Sequence, residues 1–191
     1  MRRIWIGVCV LAGLAASANA TTLLPLDARE LAQRAERIFE GDVVSVARAI
    51  DENHLPVMFV TIRVTDGIKN AHTGETITFK QIDEFIPGLP HYQAGEHVLL
   101  FLAGVSRLGL TAPLGLGQGH FRVGEDDLGR EMLVNDFSNL HLFEKSQALA
   151  RSEALSSEER HMLIERHGPV ERDTFVRFIR REAAREVPRE Q

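Results

Sequence analysis

Eight histidines and a surplus of carboxylates are the residues of this 191-residue chain best suited to chemistry. The imidazoles stand at positions 54, 72, 91, 97, 120, 141, 161 and 167. A helical zinc site needs two of them three or four residues apart, so that both leave one face. No pair has that spacing, which points to scattered histidines and to no metal site. Asp83-Glu84 and Asp126-Asp127 are adjacent carboxylates on hydrophilic turns, where solvation is the ordinary state. Glycosidic chemistry would need two carboxyls flanking a cleft, a separation that linear order does not reveal.

Nucleophilic and phosphate chemistry lack their signatures too. Ser106, in Gly104-Val105-Ser106-Arg107-Leu108, breaks the G-x-S-x-G elbow at its last position, and no strand-to-helix turn is expected there. The run Gly115-Leu116-Gly117-Gln118-Gly119 has neither the G-x-G-x-x-G order nor a G-K-[ST] ending. A strand pattern follows it rather than a helix, so no N-terminus is available for an anion. Such glycines suit a bend or a close approach of backbones. No catalytic residue is assigned, and no cofactor is expected. The least bland segment is the loop Phe85-Ile86-Pro87-Gly88-Leu89-Pro90-His91-Tyr92, with several apolar groups and two prolines in a long connection. Phe85, Ile86, Leu89 and Tyr92 are its candidate binding residues, the prolines limiting the entropy lost on contact. The alternative is that they fold back and plug one end of the core.

Elements must hold these residues in place, and the first segment is not one of them. Met1-Arg2-Arg3, the apolar run Ile4–Ala16 and Ser17-Ala18-Asn19-Ala20 form the parts of a secretory signal peptide over residues 1–20. The run is shorter than the roughly 20 residues of a spanning helix, so no stable membrane anchor is expected. The only cysteine, Cys9, and the only tryptophan, Trp5, both lie inside it. Cleavage before Thr21 would leave no thiol for disulfides, thiolate metal sites or nucleophilic attack. Loss of Arg2 and Arg3 makes the product two units more acidic than the −5 of the whole chain. That balance, without basic clusters, argues against nucleic acid and anionic membranes as partners.

Beyond the leader, Asp27 and Glu30 form a capping-box pattern that predicts a short helix over 28–36. Residues 37–50 are rich in β-branched types, with Gly41 where a strand could bend. Met58, Val60, Ile62 and Val64 alternate with polar residues, and Thr76–Ile82 repeats the pattern with Ile77 and Phe79 inward. Val98–Leu102 is an apolar run suited to a strand buried on both sides. Further strands are expected at 121–123 and 132–134. Five or six strands without a βαβ rhythm predict a mainly β domain with helical additions, built on a small antiparallel OB-like barrel. A sandwich is the competing architecture. After residue 140 the pattern turns helical. Ser156 with Glu159 caps one helix ending at Gly168-Pro169, and Asp173 caps a last helix with an apolar stripe of Phe175, Phe178, Ile179 and Ala183. The domain reading is a signal peptide at 1–20, a barrel domain with an N-terminal helix at 21–140, and a helical C-terminal extension at 141–191. The stripe is expected to dock on the barrel, with a partner groove as the alternative.

Four pieces in order carry a resemblance. They are Ile38-Phe39-Glu40-Gly41-Asp42-Val43, then Thr61-Ile62-Arg63-Val64, then Gly88-Leu89-Pro90 with Gly95–Leu102, and Leu114–Val123. Together they resemble uncharacterised bacterial secreted proteins with a barrel similar to the OB-type fold of netrin modules and tissue inhibitors of metalloproteinases. The resemblance covers residues 37–135 and implies that fold. Those inhibitors bind the protease metal through a free N-terminal cysteine, which Thr21 does not match, so no inhibitory residue is carried over. The resulting expectation is a secreted or periplasmic, non-catalytic binding module whose partner is another exported protein, a protease among the candidates. One alternative is an exported hydrolase in which His91, His97 or His120 meets Asp83 or Glu84. The other is a structural protein of envelope assembly.

Overall fold

A computed structural model describes residues 24–151, 155–164 and 167–185. The leader expected at 1–20 lies outside the described residues. Helix α1 (Ala28–Arg34) is capped as its sequence predicts: the Asp27 carboxylate accepts from the Arg29 N–H, and Glu30 accepts from the Asp27 N–H at 3.0 Å. Asp27 is itself buried, and its second oxygen accepts from the backbone N–H groups of Lys145 and Ser146. One carboxylate therefore starts a helix and anchors a segment more than a hundred residues away.

Seven strands follow: β1 (Arg37–Ile50), β2 (Pro56–Lys69), β3 (Thr76–Ile82), β4 (His97–Leu102), β5 (His120–Glu125), β6 (Glu131–Asn135) and β7 (Val170–Glu171). All neighbours pair antiparallel in the order β3-β2-β1-β4-β5-β6-β7. The fold is thus mainly β and antiparallel with helical additions, as expected, while the sheet does not close fully into a barrel. The sheet ends at β3 and β7. Across the opening, the segment after β4 makes an isolated bridge to β3 through Leu110 and Lys80 and another to β4 through Pro113 and Leu102. The pairing of β1 with β2 slips at three places, between Ile38 and Phe39, Glu40 and Gly41, and Val43 and Ser45. Such bulges sharpen twist and curl the sheet. Gly41 is required there, since a Cβ would lie 2.4 Å from the Arg63 carbonyl oxygen.

Curling gives each central strand two buried faces. Ile38, Leu99, Phe101, Phe121 and Leu133 pack with the helices in one cluster, while Phe39, Val98, Leu100, Leu102, Val60, Ile62, Ile77 and Phe79 fill the concave side. Every residue from Val98 to Leu102 is buried, as an uninterrupted apolar run on a central strand requires.

Helix α2 (Ser157–Ile164) begins with the expected reciprocal bonds between Ser156 and Glu159. Helix α3 (Arg172–Ala183) starts two residues earlier than predicted. Glu171, not Asp173, is its cap, accepting from the N–H groups of Asp173 and Thr174, and Asp173 sits in the first turn. Directly before that helix β7 pairs with β6, and its two residues are too few to leave a periodic signal. The α3 stripe docks inward: Phe175, Phe178 and Ile179 are fully buried with α1 and the sheet. Phe175 packs on Phe121 at 5.2 Å and Phe143 at 6.1 Å. Replacing Phe178 by alanine is expected to lower unfolding free energy by about 3–5 kcal/mol in denaturant titration, because a buried aromatic is lost from the main core.

Candidate functional site

The loop between β3 and β4 divides the four candidate binding residues. Leu89 and Tyr92 are 6% and 5% exposed, whereas Phe85 is 89% exposed and Ile86 39%. A turn closed by the Leu89 N–H on the Ile86 carbonyl, with Gly88 at φ 81°, sends the chain inward. Gln81 then donates to the Pro90 carbonyl at 2.9 Å, and Gly117 donates to that of Gly88 at 2.7 Å. The Tyr92 ring meets Phe79 and His120 edge-on at 5.6 and 5.2 Å. Leu89 and Tyr92 are therefore the plug, not part of a free contact surface. Of the four, Phe85 and Ile86 stay available to solvent.

Beneath the plug lies one meeting of histidine and carboxylate. His120 is fully buried, and its Nδ1 stands 3.0 Å from Asp136, which also pairs with Arg122 at 2.7 Å. A carboxylate only accepts, so Nδ1 carries the proton. Burial pushes the Asp136 carboxyl up, but His120 and Arg122 outweigh it and hold the group below its ordinary range. Gly117 permits this approach: a Cβ there would lie 2.7 Å from that of Asp136. Among the described residues, His120 Nε2, the Tyr92 hydroxyl and Gln81 Oε1 are buried with no hydrogen-bond partner. Burial, chiefly, together with the charges of Asp136 and Glu96, pushes the Tyr92 hydroxyl well above its usual range, so it remains protonated.

A second meeting ties three elements together. His97, at the start of β4, reaches Glu40 through Nε2 and Asp42 through Nδ1, both at 2.7 Å. Glu40 is 2% exposed and also accepts from Arg172 of α3 at 3.0 Å. Arg172 lies near Asp66 and Glu131 as well, and Arg180 of the same helix pairs with Asp66. The hydrogen bond to Glu40 raises the His97 pKa to about 9, against burial, and Asp42 adds to it. Burial raises the Glu40 carboxyl, but His97 and Arg172 outweigh that and keep it ionised. A histidine charged at neutral pH with both nitrogens engaged has no lone pair for a substrate.

Neither meeting uses the partners expected of a hydrolase. Asp83 pairs with Arg48 at 2.8 Å, Glu84 and His91 are exposed, and His141 pairs with Glu144. Among the described residues no group of three or more His, Cys, Asp or Glu could hold a metal ion, and no helix is long and apolar enough to cross a membrane. Glu40 left one sequence signal, a carboxylate that with Asp42 interrupts the otherwise apolar stretch Ile38–Val43. Arg172 left none.

An open apolar groove lies elsewhere, where the sheet fails to close. It has a volume of about 440 Å³ and runs between β3 and the end of β4, lined by Ile77, Phe79 and Leu102 on the concave side and by Phe59 on the opposite face of the sheet. Ala103, Val105, Gly109 and Thr111 form one wall, with Glu36, Arg37, Glu52 and Lys80 at the rim. Lys80 is committed to Asp51 at 2.9 Å and Glu52 at 3.2 Å, whereas Arg37 has no carboxylate within ion-pair reach among the described residues. Val105, 69% exposed, forms the lip. This wall belongs to the connection between β4 and β5, which contains the Ser106 segment. No protein-family model, curated protein or solved structure matches the chain.

Two expectations follow from the plug and the charged histidine. Leu89→Ala and Tyr92→Ala should each cost about 2–5 kcal/mol in denaturant titration, and Phe85→Ala under about 0.5 kcal/mol. The His97 pKa is raised on folding, so its stabilisation is complete below its ordinary value near 6.5 and lost as pH rises through about 9. Melting temperature should fall across that window, and His97→Gln should flatten the fall, an effect of about 1–2 kcal/mol once solvent screening is allowed for.

Proposed function

We propose that the protein is an exported, non-catalytic binding module that holds its partner at the groove beside β3. The observation that carries this reading is the apolar floor opening to solvent where the sheet stays unclosed. Concave apolar space with a few placed charges at its rim is the general form of a recognition site. The leader pattern at 1–20 and the resemblance to secreted netrin-like barrels support an exported partner, with a protease as its most specific form. Geometry favours binding over hydrolysis: the His97 nitrogens are both held by carboxylates, and the free nitrogen of His120 is sealed beneath Tyr92.

A photoreactive residue at Val105, on the groove lip, is expected to trap one discrete exported protein in the producing cell. The same residue at Leu128, 78% exposed on the turn between β5 and β6, should trap nothing. Ala103→Phe, which fills the groove, should abolish the Val105 product. Equal trapping from both positions, or none from either, would overturn the assignment.

A further inference from the structure

We infer that the groove receives an extended polypeptide segment, added as a strand to the free edge of β3; the inference rests on the binding reading above. The edge is defined by hydrogen-bond direction. Thr61 and Thr78 face each other across β2 and β3, with their hydroxyl oxygens 2.9 Å apart. Side chains come that close in the non-hydrogen-bonded pairs of an antiparallel ladder, whose N–H and C=O groups point away from the partner strand. Thr78 therefore turns both backbone groups outward, and the period of two extends this to Thr76 and Lys80. Lys80 verifies the phase, because its carbonyl accepts from the Thr111 N–H at 2.9 Å, on the side away from β2.

The chain thus already adds backbone to this edge at one end, through the parallel bridge of Lys80 with Leu110. The addition stops there. Among the described residues, no backbone partner meets the outward groups of Thr76 and Thr78, both exposed; Thr78 lines the groove and Thr76 continues the same edge beyond it. Two donors and two acceptors spaced along a strand are matched in number and pitch by another extended backbone. A helix keeps its own groups bonded internally and, about 10–12 Å across, would bridge the edge without pairing to it. An added strand sends alternate side chains to opposite faces, one set toward Ile77, Phe79 and Leu102 and the other toward solvent beside Thr78. The segment selected is one in which apolar and polar residues alternate.

The test uses the whole exported chain and a pool of peptides of about seven residues, with Val, Ile, Leu or Phe at odd positions and Ser, Thr, Lys or Glu at even ones. At about 1 mM peptide, amide resonances of Thr76 and Thr78 should shift and their hydrogen exchange should slow. Methylating alternate peptide nitrogens keeps the side chains but removes the pairing donors, and should weaken binding roughly tenfold or more. Thr78→Pro, tolerated on an edge strand, should abolish binding with little change in melting temperature. If that variant does not fold, the methylated peptides still decide the matter. Equal binding of methylated and unmethylated pools would overturn strand addition while leaving the groove as a side-chain site. Absence of any shift at Thr76 and Thr78 would overturn the inference, with the Val105 trapping standing or failing independently. Slowed exchange at Thr78 without peptide, rising with protein concentration, would assign the edge to a second copy and overturn it as well.

Discussion

Five consecutive side chains, Val98 to Leu102, are removed from water on both faces of one short strand, and the rest of the architecture answers that constraint. A strand with no polar face cannot lie at a surface, so β4 must have a strand on each edge and a layer on each side. β1 supplies one edge. The other is shared between β5, opposite Val98 to Leu100, and the segment around Pro113, opposite Leu102. One face is covered by α1, α2 and α3, the other by the sheet's own curl, in which Phe39, Val60, Ile62 and Phe79 meet Val98 and Leu100. At about 1.5–3 kcal/mol per large side chain buried, this strand anchors both cores.

Charge sits inside the same framework. Glu40 lies among buried neighbours on β1, and an isolated carboxylate there would be driven to neutrality. His97 and Arg172 keep it ionised, which ties β1 to β4 and brings the start of α3 onto the sheet. Interactions of this kind contribute less net stability than specificity of arrangement, because desolvation offsets much of the attraction. Their consequence here is positional: α3 has one way to dock, with its stripe over Phe121 and Phe143 and its arginines over Asp66.

The two ends of the curled sheet have different fates. At one end the β3–β4 loop folds in, and Leu89, Pro90 and Tyr92 cover His120 and Gln81. At the other the chain returns from β4 with a single parallel bridge to β3, leaving backbone groups of an edge strand beside apolar side chains. An unpaired edge next to an apolar floor is a liability unless something uses it. The binding reading takes that liability as the purpose of the opening.

Much of the secondary structure was legible along the chain. The parity of Met58 to Val64, the unbroken run of β4, the reciprocal caps of α1 and α2 and the stripe of α3 are local patterns, fixed by periodicity and by nearest hydrogen-bonding partners. The bend at Gly41 was legible for the same reason. The Glu171 cap and β7 were not, since two residues leave no period and Asp173 offered an equally good local cap. Closure was not legible either, because alternation gives a strand two faces without saying where a sheet stops. Which loop residues plug and which stay exposed depended on Gly117 and Gly88 letting distant backbones touch. Residues 40, 97 and 172 became one ionic cluster, and 59, 79 and 105 one groove, only when the sheet curled. Local propensity acts over a few residues, whereas those meetings are set by which surfaces the whole chain must hide from water.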